Sequence, residues 1–121
     1  MDDMLYNRKK RTLIYSFTKD SHIIIPKSVT YIESGAFAGS SLQSITIHDS
    51  VSYIGSYTFY KCSFLKNIEL SNSVTFIGAF AFAGCSSLQG ITIPNSVTFI
   101  GESAFASCSS LQSITIPNSV T

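Results

Sequence analysis

The stretch from Leu88 to Cys108 reads LQGITIPNSVTFIGESAFASC, and it closely repeats the stretch from Leu65 to Cys85, LKNIELSNSVTFIGAFAFAGC. A period in the twenties is typical of a solenoid, in which each unit buries its apolar face only by stacking on its neighbours. The shortest phrase that marks this period is Ser-Val followed by Thr or Ser. Its valines lie 22, 23, 23 and 23 residues apart, at Val29, Val51, Val74, Val97 and Val120.

The period divides the chain into an N-terminal cap and a solenoid. We expect residues 1–27 to form the cap, as a hairpin followed by a first strand, and residues 28–121 to form one elongated solenoid. Leu5-Tyr6 and Thr12 to Tyr15 flank the turn-like segment from Asn7 to Arg11, which indicates the hairpin. The predicted repeats are 28–49, 50–72, 73–95 and 96–118, with a partial repeat at 119–121.

Each repeat contains a strand phrase, Leu-x-x-Ile-x-Ile or a close variant of it. The last two apolar residues alternate with a polar residue, as expected of a strand that buries one face. Successive copies are therefore predicted to pair as a parallel sheet along one face of the solenoid. The apolar positions are Leu42, Ile45 and Ile47; Leu65, Ile68 and Leu70; Leu88, Ile91 and Ile93; and Leu111, Ile114 and Ile116.

The other half of each repeat carries Val, then Ile three residues later, then a small residue and Phe. Val and Ile at this spacing cannot both face inward on a regular strand, because a strand alternates its faces every second residue. The pattern predicts a turn or short extended piece and then a helical turn, with Gly55, Gly78 and Gly101 relaxing the backbone between them. The main support of the core is predicted to be the Phe column, Phe37, Phe59, Phe82 and Phe105.

Composition argues against partners that bind through charge. Charged residues make up 12% of the chain and the net charge is +1, while apolar residues make up 45%. The one basic run, Arg8 to Arg11, lies in a single predicted turn, whereas nucleic acid binding needs a charged surface. No apolar run approaches 18 residues and Met1 to Asn7 does not resemble a signal peptide, so we expect no membrane insertion by this chain.

The residues that carry catalytic or metal chemistry are poorly placed for it. His22 and His48 fall in different columns of the repeat, and the glycines are isolated, so we expect no enzyme activity and no cofactor. Cys62, Cys85 and Cys108 lie 23 residues apart in one column. A straight ladder of thiols does not match tetrahedral zinc geometry, so we predict no metal site and buried, reduced thiols that fill the core.

Two columns are candidates for binding. The first is the aromatic stripe, a set of residues that each precede an inward Ile, and such stripes are favoured at protein contacts. The alternative is that these rings pack on one another and only stiffen the solenoid. If the stripe is a binding surface, Tyr57 and Phe80 could extend it. The stripe is Tyr31, Tyr53, Phe76 and Phe99.

The second candidate is the outward side of the strand phrase, which is small, neutral and rich in hydroxyl groups. It could accept a peptide or a glycan by hydrogen bonding, and the alternative is a solvated sheet. The candidate residues on this sheet face are Thr46, His48, Glu69, Thr92 and Thr115.

The phrase LxxIxIPxSVTxIGxxAFxxC, as it stands from Leu88 to Cys108, resembles the BspA-type leucine-rich repeats of bacterial and protozoan surface proteins. The resemblance covers nearly the whole chain and includes the lead-in from Leu5-Tyr6 to Ile25-Pro26. The sequence departs from the family pattern at Glu33, in place of the glycine, and at Thr58, in place of the small Ala.

The resemblance implies a leucine-rich-repeat-like right-handed coil, with a parallel β-sheet on one face and turns or short helical turns on the other. It also implies display at the cell surface or outside the cell, and non-catalytic binding of host or matrix proteins as an adhesion module. A cytoplasmic location is the alternative, because we recognise no signal peptide or anchor in the sequence. The alternative is a structural role, in which open coil ends stack on one another in self-association.

Overall fold

The computed structural model describes residues 4–6, 12–16, 19–112 and 114–120. In these ranges the chain is a β-solenoid of about 4 turns, here called coils, and it contains no helix. The β-strands are β1 (Met4–Tyr6), β2 (Thr12–Ser16), β3 (His22–Ile24), β4 (Tyr31–Ile32), β5 (Ser44–Thr46), β6 (Tyr53–Ile54), β7 (Asn67–Glu69), β8 (Phe76–Ile77) and β9 (Phe99–Ile100).

The strands form two sheets where the sequence predicted one. The predicted strand phrase forms the short sheet, in the order β3-β5-β7. The long sheet has the order β1-β2-β4-β6-β8-β9, and four of its strands are the Tyr-Ile and Phe-Ile pairs of the other half of the repeat. Those strands have two residues each, which is too short for an alternation of apolar and polar residues to be recognised in the sequence. They are strands because they pair with one another from coil to coil.

The predicted N-terminal hairpin is confirmed. Strand β1 pairs with β2 in antiparallel fashion, with an irregularity between Leu5 and Tyr6, and β2 then pairs with β4 in parallel. The hairpin therefore continues the long sheet over the first coil and protects the edge that the repeats would leave there. The predicted turn from Asn7 to Arg11 lies outside the described residues.

The core consists of the predicted columns, each stacked in register from coil to coil. In the four repeats the Val is buried just after a turn, as at Pro26 to Val29, and the Ile three residues later is buried in the following strand, except that Ile100 is partly buried. The rings of the Phe column stack at centroid distances of 5.4, 5.2 and 5.3 Å. Phe37, Phe59 and Phe82 are buried, and Phe105 is partly buried.

The segment around Ala-Phe forms turns, and the predicted alternative of a helical turn does not occur there. These turns contain two positions per repeat with a left-handed backbone. The backbone N–H at such a position donates a hydrogen bond to a carbonyl oxygen of the next coil, as the N–H of Tyr57 does to the oxygen of Ala79 at 3.0 Å. The first left-handed column is Gly35, Tyr57, Phe80 and Ser103, with φ of 73°, 60°, 57° and 53°. The second is Gly39, Lys61, Gly84 and Ser107, with φ of 70°, 56°, 78° and 59°.

The prediction that Gly55, Gly78 and Gly101 relax the backbone is wrong, since none of the three has a positive φ. They are small because the coils approach one another closely at this column. A Cβ on Gly55 would lie 2.6 Å from the backbone nitrogen of Ser34, and a Cβ on Gly78 would overlap the backbone of Ser56. Glycine is required here for close packing of one coil against the next.

The short sheet ends earlier than the sequence predicted. Asn67 forms an isolated parallel bridge with Gly90, and Ile91 to Ile93 form no strand, although Ile93 is buried. Residues 114–116 also lie outside any described strand. Gly90 explains the first break, because a glycine within a strand loses more conformational entropy and offers no side chain for cross-strand packing.

Candidate functional site

The aromatic stripe is a continuous ladder of parallel rings. Each ring belongs to a two-residue strand of the long sheet and precedes the buried Ile, so it points away from the core. The ring centroids are 4.2, 4.4 and 4.7 Å apart along the ladder, and the interplanar angles are 7°, 5° and 12°. Phe99 is exposed and the other three rings are half-buried. The rings therefore pack on one another and still offer their edges to solvent.

The stripe is uncharged at neutral pH. Burial raises the pKa of Tyr31 to about 12, and the hydrogen bond to Tyr53 and the nearby charge of Glu33 act in the same direction. The phenol consequently keeps its proton throughout the physiological range.

A column of hydroxyl groups borders the stripe, because each aromatic residue from Tyr31 onwards follows a Ser or Thr. Ser52, Thr75 and Thr98 are exposed, and each donates a side-chain hydrogen bond to a backbone carbonyl oxygen of the preceding coil. The donor–acceptor distances are 3.4, 3.1 and 3.3 Å. These bonds hold the border in place, so a partner would meet a rigid surface with apolar rings and fixed oxygen atoms.

Tyr57 and Phe80 form a second ladder on the turns. Their centroids lie 5.0 Å apart with an interplanar angle of 7°, and Tyr60 packs edge-on against Tyr57 at 5.1 Å and 75°. The ammonium of Lys61 lies 5.4 Å from the centre of the Tyr60 ring. Sequence reasoning missed Tyr60, although it stands where the other repeats have Ala38, Ala83 and Ala106.

The candidate sheet face is not one continuous sheet. Thr46 and Glu69 are exposed on strands β5 and β7. Thr92 and Thr115 are exposed too, but they lie outside the short sheet, because pairing stops at Gly90. His48 follows β5 and is half-buried. The five residues therefore share the outward direction of their columns without forming one paired surface.

A cross-strand pair on the first rung of the short sheet was also missed. Nδ1 of His22 and Oγ of Ser44 lie 2.5 Å apart on the paired strands β3 and β5. His22 and Ser44 lie 22 residues apart, because the first repeat is one residue shorter than the others. Sequence reasoning compared His22 only with His48 and therefore did not predict the pair. The pair is exposed, and it adds a hydrogen bond between neighbouring coils.

The thiol column is buried and reduced. Cys62, Cys85 and Cys108 are free, and burial raises the pKa of each thiol. Each Sγ donates to a backbone carbonyl oxygen of the preceding coil, at 3.1, 3.2 and 3.2 Å. No group of three or more His, Cys, Asp or Glu side chains suited to a metal ion occurs in the part of the chain that the structure describes.

The same part of the chain contains no helix long and apolar enough to cross a membrane.

Comparison with protein-family models matches residues 12–121 to the BspA type leucine rich repeat region, in 6 copies. Comparison with curated protein sequences gives no match.

Solved structures of bacterial leucine-rich repeat proteins share the fold. A Treponema pallidum (T. pallidum) leucine rich repeat protein superposes with a TM-score of 0.87 at 30% identity, over 98% of this chain and 59% of that one. A Bacteroides ovatus leucine-rich repeat protein superposes with a TM-score of 0.85 at 32% identity, over 100% of this chain and 36% of that one. A leucine rich cell surface protein from Faecalibacterium prausnitzii superposes with a TM-score of 0.70 at 28% identity, over 98% of this chain and 41% of that one.

The chain thus spans 59% or less of the length of each of these three structures. The family model covers the chain from the start of β2 onwards. The chain belongs to the BspA-type leucine-rich repeat family.

Proposed function

We propose that this chain is a non-catalytic adhesion module that binds a protein partner through the aromatic stripe. Its family is one of repeat modules that serve protein interaction in general. The observation that carries the finer proposal is the ladder of Tyr31, Tyr53, Phe76 and Phe99, which spans four coils with ring centroids 4.2 to 4.7 Å apart.

The stripe has the composition of a protein interface. Aromatic residues are enriched at the centres of such interfaces, where charged residues are depleted, and the rim is polar. Here the rings are uncharged and the bordering hydroxyl groups are held by hydrogen bonds to the backbone. Because the rings already stack on one another, little side-chain freedom remains to be lost on binding.

The sheet face supports the proposal less well. Its exposed residues are divided by the end of the short sheet at Gly90, and Glu69 places a charge among them. A continuous, rigid and neutral surface occurs at the stripe.

We further propose that the module works at the cell surface or outside the cell, on host or matrix proteins. The F. prausnitzii structure is that of a leucine rich cell surface protein, and it covers 98% of this chain.

The test compares two double variants on a panel of immobilised extracellular-matrix proteins, by biolayer interferometry. Tyr53→Ser with Phe76→Ser removes the centre of the stripe, and Thr46→Ala with Glu69→Ala is the matched change on the sheet face. Loss of two central aromatic contacts is expected to weaken binding by about tenfold or more, while the sheet-face variant binds as the unmodified chain does. The reverse pattern would show that the sheet face is the contact surface.

Self-association by stacking of coil ends is a second candidate, favoured by the low share of charged residues, 12% of the chain. Sedimentation velocity over a range of concentrations separates the two functions. Concentration-dependent dimers or arrays that disappear with Ile116→Lys would support assembly, and a monomer at all concentrations supports binding of a different protein.

A further inference from the structure

We propose that the surface over Gly35 binds one aromatic side chain of a protein ligand, which stacks on the ring of Tyr57. We call this place the ring slot and define it by Gly35, Gly39 and Tyr57. The inference deepens the proposed function by naming a chemical class of contact, and it rests on residues outside the aromatic stripe.

The ring slot is one empty rung of an aromatic ladder. Gly35, Tyr57, Phe80 and Ser103 occupy the same column of successive coils, and the rings of Tyr57 and Phe80 stack at 5.0 Å with an angle of 7°. The next rung towards the N-terminus is Gly35, which has no side chain. A Cβ built there would meet no heavy atom of the described residues within 4 Å, and the same holds at Gly39. The column therefore lacks a ring at the position that would continue the stacking of Tyr57 on Phe80.

Two more side chains make this corner of the solenoid unlike the other repeats. Tyr60 packs edge-on against Tyr57, where the other repeats have Ala at the equivalent position. Lys61 occupies the left-handed position that Gly39 takes in the first coil, and its ammonium lies 5.4 Å from the Tyr60 ring centre. The rings of Tyr57 and Tyr60 and the ammonium of Lys61 thus belong to the coil next to the one that contains Gly35 and Gly39.

The backbone conformation at Tyr57 and Phe80 is unfavourable for residues with large side chains. Tyr57 and Phe80 have φ of 60° and 57°, a region that bulky L-residues rarely adopt. Tyr57 is also 42% exposed, so burial in the core does not explain it. An exposed aromatic residue held on a left-handed backbone, as Tyr57 is, points to a role outside folding.

The ligand favoured by these contacts is an aromatic side chain with a carboxylate near it. A flat ring reproduces the stacking that Tyr57 already makes with Phe80, and aromatic pairs prefer such offset parallel packing. The exposed ammonium of Lys61 offers a partner of opposite charge for the carboxylate.

The direct test is a titration of the 15N-labelled chain with N-acetyltryptophan amide, followed by NMR. Ring-current shifts of the Gly35 and Gly39 amide resonances should saturate in the millimolar range, since a single stacked ring binds weakly. The chain contains no Trp, so ligand indole fluorescence gives an independent signal. N-acetyltryptophan, which keeps its carboxylate, should bind more tightly than the amide at low salt, and high salt should remove the difference.

Two matched variants locate the site. Gly35→Tyr places the chain's own ring in the slot, on the left-handed backbone that Tyr57 adopts one coil away, and should abolish binding. Ser103→Tyr adds a ring at the opposite end of the ladder, on a backbone with φ of 53°, and should leave binding unchanged. Retained fold is checked by circular dichroism and by the dispersion of the other amide resonances.

Three results would overturn the inference: saturable shifts that persist in Gly35→Tyr, equal binding of N-acetylcyclohexylalanine amide, or equal binding of methyl glucoside, which would indicate a sugar site. These outcomes leave the proposed function testable, because the Tyr53 and Phe76 variants change the aromatic stripe and not the ring slot. Conversely, a stripe that binds no matrix protein would not alter the indole titration.

Discussion

The thiol of Cys85 donates a hydrogen bond to the carbonyl oxygen of Phe59, 3.2 Å away in the preceding coil. The same carbonyl oxygen also accepts the backbone N–H of Cys62 at 3.1 Å, within its own turn. One oxygen atom therefore fixes the turn of one coil and joins it to the next. Cys62 and Cys108 make the equivalent bonds to Phe37 and Phe82, so the thiol column acts as an internal connection between coils.

The thiols should resist alkylation in the folded chain. Burial raises the pKa of each, and every unit of increase lowers the reactive thiolate fraction about tenfold at a pH below the pKa. Cys108 is 9% exposed, whereas Cys62 and Cys85 are fully buried, so iodoacetamide should modify Cys108 first. Peptide mass spectrometry at pH 8, with and without urea, gives the order. Equal and rapid labelling of all three without urea would contradict the buried ladder.

Phe82→Ala should lower the free energy of unfolding by about 3–5 kcal/mol, the usual penalty for removing a large buried ring. Phe82 is fully buried between Phe59 and Phe105, and Phe59 cannot fill the space without leaving Phe37. Phe64→Ala is the matched control, since Phe64 is 57% exposed, and should change stability by no more than about 0.5 kcal/mol. Urea denaturation followed by circular dichroism measures both, and equal losses would contradict the packing of the Phe column.

Gly78→Ala should destabilise the chain, and Gly90→Ala should not. A methyl group at Gly78 would overlap the backbone of Ser56, and overpacking of this kind costs about 1–3 kcal/mol. At Gly90 a methyl group meets no atom of the described residues within 4 Å, and replacing a glycine in an extended segment can gain up to about 1 kcal/mol. Differential scanning calorimetry compares the two. A melting temperature that falls equally in both variants would mean that the close approach of the coils is not the cause.

Stability should fall between about pH 10 and about pH 12 because of Tyr31. The ordinary tyrosine pKa is about 10, and burial together with Tyr53 raises the pKa of Tyr31 to about 12 in the folded chain. Between these values the unfolded chain has lost a proton that the folded chain keeps, so unfolding is favoured as the pH rises. The contribution of Tyr31 is complete below about pH 10 and is lost above about pH 12.

Tyr31→Phe should reduce this pH dependence, measured by urea denaturation at several pH values. Tyr53→Phe removes the hydrogen-bonding hydroxyl and should lower the pKa of Tyr31, seen in the phenolate absorbance. An unchanged slope in Tyr31→Phe would assign the alkaline loss to other groups.

The buried columns and the hairpin could be predicted because they depend on residue type and period. Ile45, Ile68 and the Phe column recur at a fixed register, and any stacked arrangement of such repeats places them against one another. The departure from one regular strand at Val29 and Ile32 was predictable for the same reason, since no single strand turns both side chains inward at that spacing; in the structure Val29 follows a turn and Ile32 lies in β4.

Features that depend on the distance between coils were not predictable. Four strands of the long sheet have two residues each, and they exist only because residues such as Ile32, Ile54 and Ile77 meet in register. The role of Gly78 also follows from how closely Ser56 passes, and a glycine that relaxes the backbone looks the same in sequence as one that lets two coils touch.

The candidate sites divide in the same way. The sequence alone determined that aromatic residues recur beside the inward Ile, because the period places every Tyr31-like position on one column. Only the tertiary structure decided that these rings stack at 4.2 to 4.7 Å, that Tyr57 and Phe80 form a separate ladder, and that this ladder has an empty rung at Gly35. The physical reason is that period specifies which residues share a column, whereas coil spacing and the φ of each turn residue set what those residues touch.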